Sequence, residues 1–540
     1  MKKRSKKEFI FYSIIIIIFI IGIVPREFQN DTFFNISIGK YILENGIDMQ
    51  EHWAFTQGLT YTFSHWAFDI ITYLIYNLYN FKGIYIFTII ISILIYISLF
   101  YCLTKKSDKP ILSLLLVLIF SYFLSHSFTA RSQIISFVCF IIEIYCIEQF
   151  IETNKKKYCI ILLLLSIIIA NFHAATWPLF LVLFMPYIGA AFINYISAKN
   201  IFTLLIKRDK KKLKNLSEES PKYNYYKEDL EIYTRLLKKE NNKKEFKITR
   251  KSFYNIKNLI ILIIIIMLSG LLTPIHGTPY TYIIKSMFGP SNFGELKSIA
   301  YIAEMQPIIP VNHESLIIFM IIFIVFLTFY PTKIKLEHIF LLLGLLYMTL
   351  SSNRYLYLLV PLGCYVLCDL LTQCSDIYFK KEMNILEKIL IHPISVVICI
   401  ISVCIFTIYN INMIKDIDFV NEELYPTLAT KYIKENLDYK NIRIYNSYNF
   451  GSYLMLNDIP VFIDSRLDVY CSEFNDTDIF YDYVKAANGQ VYYEEVFEKY
   501  DFTHILLYDD EVMNIYIKND NNYKLLYEDE NFSLYERNTK

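Results

Sequence analysis

Residues 30–66 read NDTFFNISIGKYILENGIDMQEHWAFTQGLTYTFSHW and follow directly on the first apolar stretch. They gather Asp31, Asp48, Glu51, His52 and His65. A plain connector between membrane helices is short, and carboxylates and imidazoles beside a bilayer need a reason to stay. Asp31 lies a few residues past that first stretch, so its carboxylate belongs near the membrane interface. There it can take a proton from an acceptor hydroxyl as a general base. Its structural alternative is to N-cap a helix over TFFNISIGKYILENG. Glu51 and His52 precede an aromatic run, and His65 precedes Trp66. Acids and imidazoles at one interface can hold a divalent metal, yet this spacing matches no compact metal motif. A surface or hydrogen-bonded role fits the spacing better.

Cations recur at other helix ends. Arg131 in HSFTARSQIISF and Arg354 in SSNRYLYLLVPL each open an apolar run, and His173 in ANFHAATWP closes one. Cations at the outer lipid edge can grip the phosphate of a lipid-linked donor; the ordinary alternative is snorkelling to headgroups. Glu143 and Glu148 fall inside the run 132–152. Glu143 is expected to face the bundle and pair with a hydroxyl or a cation. Asp464-Ser465-Arg466-Leu467-Asp468 follows the apolar IPVFI, at a strand end where α/β domains hold ligands and where strands also simply turn. Of the 10 cysteines only Cys471 lies in the C-terminal segment, and Cys364, Cys368 and Cys374 read as packing residues.

The elements that must position these groups are membrane helices. The chain has 540 residues, 55% of them hydrophobic, and a formal net charge of +1. Runs such as FIFYSIIIIIFIIGIV and LIILIIIIMLSGLL are about long enough to span lipid. The reading is a polytopic α-helical membrane protein of about 11 transmembrane helices with a small C-terminal α/β domain. The helices are placed at 8–24, 83–103, 110–127, 132–152, 158–173, 177–196, 257–273, 315–331, 336–350, 355–373 and 390–411. The start MKKRSKK resembles a signal peptide without a small-residue cleavage site, so the first helix is expected to stay. Lysine clusters at 2–7, 105–109, 155–157, 199–257, 333–335 and 380–388 all fall on one side if residues 66–80 do not cross. That segment is short, carries Asp69 and is flanked by Trp66, Tyr73, Tyr76 and Tyr79, which suits an interfacial helix. The N-terminus is then cytoplasmic and the protein is a multi-pass component of the cell membrane. The transmembrane domain covers 1–411, with an outer loop 25–82 and a basic cytoplasmic loop 199–257. From 420 to 540 strands alternate with helices, giving an extracytoplasmic α/β domain. The near-zero charge points to no nucleic-acid partner, and the lack of an internal repeat weakens a transporter built from duplicated halves.

The order of these motifs resembles the bacterial polytopic glycosyltransferases of the GT-C fold, which include protein O-mannosyltransferase-like and aminoarabinose-transferase-like enzymes. It is more similar to a subgroup with an extracytoplasmic C-terminal domain. The residues that carry the likeness are Asp31 and Gly39 in NDTFFNISIGKYILENG, Glu51 in EHWAFTQ, and Trp66 in HWAFDIITYLIY. Arg131-Ser132-Gln133, Asn171-Phe172-His173, Gln306-Pro307 and Phe462-Ile463-Asp464-Ser465-Arg466 extend it over nearly the whole chain. The chain departs at Asn35, where the subgroup has His, and at His65, where it has an acid before Trp66. Ser132 stands for Pro, and Ala174 and Ser465 for Gly. The resemblance implies sugar transfer from a polyprenyl-phosphate-linked donor to a glycan, lipid or protein acceptor at the outer face. It assigns Asp31 as base or orienting acid with Glu51 as helper. Arg131, Arg354 and His173 fall to the donor phosphate, and His65 and Asp69 to the acceptor side of the loop. No particular cofactor is assigned, and a divalent metal is an option. The alternatives are a non-catalytic scaffold of envelope-glycan assembly and a transporter of lipid-linked sugars.

Overall fold

The computed structural model describes residues 3–125, 128–195, 198–217, 221–241, 248–249, 256–290, 298–309, 313–330 and 332–538. The predicted membrane runs fall mostly on helix among the described residues, with breaks at Leu183–Phe184 in the run 177–196 and at His392 in the run 390–411, and a helix end at Ser269 in the run 257–273. The first six elements are α1 (Lys3–Ile23), α2 (Asn30–Asn45), α3 (Trp66–Ser107), α4 (Pro110–Phe123), α5 (Gln133–Thr153) and α6 (Lys156–Phe172). Their ends follow local chemistry. Pro110 opens α4 with its φ already set. Asp108 and Asn154 close α3 and α5 in the left-handed region, at φ 54° and 51°. Among the described residues five helices are long and apolar enough to cross a membrane: Trp66–Ser107, Gln133–Thr153, Ala174–Ile193, Asn353–Ile377 and Pro393–Ile414. Pro110–Phe123, Lys257–Ser269, Leu316–Phe329 and Leu336–Ser351 are shorter apolar helices.

The expected interfacial segment 66–80 is the first limb of α3. It breaks at Asn80, whose φ of 51° and ψ of −153° cannot continue a helix. α2 lies across this limb. At the crossing a Cβ on Gly39 would sit 2.0 Å from the Asp69 carbonyl oxygen, so only glycine permits the approach. Asp31 does not cap α2. Gln29 holds the N-cap position without a side-chain bond, and Asp31 sits in the first turn, where a carboxylate is favoured by the helix dipole.

α5 spans two polar ends. At one end its start adjoins Arg131. At the other, Glu148 is buried among three donors. It lies 2.6 Å from His338 Nε2 and 3.3 Å from Lys106 Nζ, and accepts a bond from Tyr365 Oη at 3.0 Å. Lys106 and Lys335 come from two of the predicted inner lysine clusters, so both clusters meet at the end of α5 away from Arg131. Glu143, expected to find a hydroxyl or cation, is fully buried with neither carboxyl oxygen partnered among the described residues. In the segment 199–257 the helices Ala198–Leu213 and Pro221–Asn241 pack on each other. Residues 218–220, 242–247 and 250–255 of that segment lie outside the described residues. Two short strands, β1 (Ile248–Thr249) and β2 (Ile334–Lys335), pair in parallel.

The C-terminal part forms a four-stranded sheet in the order β3-β4-β6-β5, from β3 (Ile444–Tyr445), β4 (His504–Tyr508), β5 (Tyr523–Glu528) and β6 (Phe532–Arg537). β3 and β4 are parallel; β4–β6 and β5–β6 are antiparallel. The expected strand IPVFID is not part of this sheet. Val461 instead bridges in parallel to Ala54 of the outer loop, with Val461 N donating to Trp53 O at 3.0 Å. The packing has a matching division. One apolar core joins the membrane helices. The other joins α2 (Phe33, Phe34, Ile38), the outer loop (Leu59, Phe63) and the C-terminal domain (Tyr445, Phe462, Leu534). Sequence-adjacent as it is to α1, the outer loop therefore belongs by burial to the far end of the chain.

Gly39→Ala is expected to lower the midpoint of thermal unfolding in detergent, at a cost of about 1–3 kcal/mol for an overpacked contact against rigid backbone. Gly344→Ala is the control, since a Cβ there meets nothing within 4 Å; it should leave the midpoint unchanged or raised.

Candidate functional site

Glu51 and Arg466 meet where the outer loop touches the C-terminal domain. Arg466 Nη1 lies 2.7 Å from Glu51 Oε2, and Arg466 Nη2 lies 2.6 Å from Asp464 Oδ2. All three side chains are 0–1% exposed. The remaining lone pairs are filled: Trp53 N and Ala54 N both donate to Glu51 Oε1 at 2.8 Å, and Tyr470 Oη donates to Asp464 Oδ2 at 2.6 Å. Trp53 and Tyr61 sandwich the guanidinium at 4.9 and 5.0 Å. Burial works against this cation, but Asp464 and then Glu51 outweigh it and hold Arg466 charged. The Asp464–Asp468 turn thus serves a clamp. Glu51 is one jaw of it and stands apart from Asp31. His52 is not beside it either, but bonds Asp48 and Tyr41 at 2.7 Å each on the surface.

Five other residues singled out in the sequence converge. Asp31, His65, Arg131, His173 and Arg354 line one small recess together with Phe34, Asn35, Ser132 and Gln133. Each comes from a different place: the first turn of α2, the loop before α3, the loop before α5, the end of α6, and the turn before helix Leu356–Ile377. Arg131 Nη2 lies 2.6 Å from Asp31 Oδ2. Its guanidinium also makes a two-pronged contact to Glu304, at 2.9 and 3.1 Å. Burial opposes the charge on Arg131, and Asp31 and Glu304 more than restore it. The same partnership acts on Glu304: burial pushes it up, but Arg131 and then Arg354 hold it down to about 2.

Arg354 differs from Arg131. Among the described residues its guanidinium hydrogen-bonds Met305 Sδ at 3.6 Å and forms no ion pair. The two histidines stand close by, ring centroids 5.4 Å apart. Burial first, then Arg354 and Arg131, pull His65 down to about 3. His173 is lowered by burial, His65 and the same arginines. Burial and the arginines thus disfavour a charge on either imidazole, and the positive charge of the recess rests on the arginines. His173 Nδ1 and Ser136 Oγ share a bond of 3.0 Å. His65 Nδ1 and Asn35 Oδ1, both in the recess, have no partner among the described residues. Such polar atoms suit a polar ligand. Asp69 lies outside it, fully buried beneath α2 with both carboxyl oxygens unpartnered among the described residues.

Glu304 was missed from sequence. Its signal was position: it stands in AEMQP, two residues before Gln306-Pro307. Among the described residues no three His, Cys, Asp or Glu side chains converge into a cluster.

Arg466→Met should be costly in stability rather than specifically in chemistry. It leaves two buried carboxylates without their cation, a loss of about 3–5 kcal/mol. The check is thermal unfolding of the purified variant; an unchanged midpoint would show that the clamp does not bear on stability.

No family model and no curated protein sequence matches the chain. Among solved structures it is similar to the archaeal oligosaccharyltransferase AglB from Archaeoglobus fulgidus, determined in complex with an inhibitory peptide and a dolichol-phosphate. The TM-score is 0.55 at 9% identity, over 94% of this chain and 70% of that one. At that identity the likeness is one of architecture, and in architecture the chain is a GT-C-like membrane protein.

Proposed function

We propose that this protein is a membrane glycosyltransferase that moves a sugar from a polyprenyl-phosphate-linked donor to an acceptor on the extracytoplasmic side. The observation that supports this most is Arg354, a cation with no carboxylate partner among the described residues, in a polar recess that also holds the Asp31–Arg131 pair. The AglB structure was determined with a dolichol-phosphate, which makes a lipid phosphate the natural ligand to test here.

In this reading Arg354 takes the donor phosphate and Arg131 flanks it. An acceptor hydroxyl oxygen attacks the anomeric carbon from the opposite face, and its proton passes to Asp31. The bond from that carbon to the phosphate oxygen breaks, and polyprenyl phosphate leaves with the electron pair. A departing phosphate is stabilised by fixed cations rather than by an acid, which suits two arginines flanked by histidines. Arg131 holds Asp31 in place meanwhile. His65 and Asn35 offer polar contacts to the sugar. Glu51 supports the loop through Arg466, and Asp69 underlies α2.

With labelled polyprenyl-phosphate sugar and an acceptor panel, Asp31→Asn should lower kcat by about 10²–10⁴-fold while donor binding persists. Arg354→Gln should chiefly raise the donor KM. Equal turnover in Asp31→Asn removes that residue from the mechanism. The proposed orientation predicts that, in a cysteine-free background, Glu435→Cys is labelled by an impermeant reagent on intact cells and Asp108→Cys is protected. The reverse pattern would invert the topology.

A further inference from the structure

A second, larger cavity of about 350 Å³ lies near the recess. Thr60–Thr62 line the second space, and His65, three residues further on, lines the first. The other side of the cavity is Ile275–Lys285, and Phe474 of the C-terminal domain closes it. The loop is tied to the recess at Ser64, whose carbonyl accepts from Ala174 N at 2.9 Å, next to His173. Tyr282, in the cavity wall, feels the charges of Asp468, Arg354 and Asp31, which fits a position between the two spaces.

The chemistry of the lining is selective. Its four threonine hydroxyls all donate inward. Thr60 donates to Asn475 Oδ1 at 2.7 Å and Thr62 to Asp468 Oδ2 at 2.6 Å. Thr278 donates to Ile275 O at 2.8 Å and Thr281 to Gly277 O at 3.1 Å. A hydroxyl whose proton is committed offers only lone pairs, so this wall presents acceptors to a ligand rich in O–H donors. Aromatic faces accompany them: Tyr282 and Phe474 pack with centroids 4.8 Å apart. Tyr61 Oη is buried with no partner among the described residues. No aspartate or glutamate lines the cavity, whereas Lys285 does, and it forms no ion pair with a described residue. Its ammonium lies 6.0 Å from the centroid of Phe474.

We infer that this cavity is the acceptor site and that its ligand is an acidic saccharide, its hydroxyls on the threonines, a ring face on the aromatics and its carboxylate on Lys285. An acidic peptide is the competing ligand, since Lys285 and the Tyr61 hydroxyl could donate to it, and the probes below separate the two. The inference rests on the glycosyltransferase reading and narrows its acceptor. A cavity of this volume is of a size to take a small saccharide.

The test is binding to the full-length purified protein, measured by saturation-transfer NMR titration. The probes are a uronic-acid disaccharide, a neutral disaccharide, an acidic peptide and farnesyl phosphate. The uronic-acid disaccharide should bind saturably and better than the neutral one. Lys285→Ala should weaken it about tenfold, as expected for one charge-assisted contact, and Lys285→Arg should recover most of the loss. Farnesyl phosphate should bind equally to wild type and Lys285→Ala. Equal binding of neutral and acidic disaccharides, no saturable saccharide binding, displacement of the disaccharide by the acidic peptide, or indifference to Lys285→Ala would each overturn the inference. Should Lys285→Ala fail to fold, the comparison of probes on wild type decides alone. Failure of farnesyl phosphate to bind wild type counts against the donor reading and leaves the saccharide result standing.

Discussion

The outer-loop half of the candidate site depends on a buried cation that never touches it. Arg466 is held by Glu51 and Asp464 and sandwiched by Trp53 and Tyr61. A charge so deep in the protein is tolerated only with full pairing and hydrogen bonding, and both carboxylates have further donors. The result is a pin between residues some four hundred positions apart in sequence. It fastens the outer loop to the C-terminal domain, and with it the apolar core that α2 shares with that domain. α2 in turn carries Asp31, and the loop ends at His65. Hold Arg466 and two of the five recess residues have their backbone placed.

The membrane helices supply the other three. Arg131, His173 and Arg354 stand at helix ends at the same end of the bundle, while Lys106, Lys335 and His338 gather around Glu148 at the opposite end of α5. Both ends concentrate positive charge, but they are balanced differently. At the Glu148 end the cations surround a shared carboxylate. In the recess Arg131 is matched by Asp31 and Glu304, while Arg354 makes no ion pair with a described residue and acts on Glu304 only from a distance. An anionic ligand therefore has a place in the recess that the Glu148 cluster does not offer.

Much of this was legible in the sequence. Hydrophobic runs located the helices, since lipid leaves little choice of structure for a long apolar segment. Helix-end polarity located Asp31, Arg131, His173 and Arg354, because groups that are costly in lipid collect where helices emerge. Glu51 and Asp464–Asp468 were visible as charged islands, but their pairing was not: the contact joins distant segments, and spacing carries no information about it. The same limit hid Glu304, and it turned IPVFI from a sheet strand into the partner of Ala54. Alternation of apolar residues shows that a segment is extended and buried; it does not name the neighbour. Glu143 shows the converse, an acid whose expected partner is absent among the described residues.

The central claim is that the recess at Asp31, Arg131 and Arg354 receives a lipid phosphate. A structure of the protein with bound polyprenyl phosphate measures this directly, as the distances from the phosphate oxygens to the guanidinium groups. The account predicts hydrogen-bond contact with Arg354 and close approach to Arg131. A phosphate seated at Lys106 and His338, or at Lys285, would contradict it.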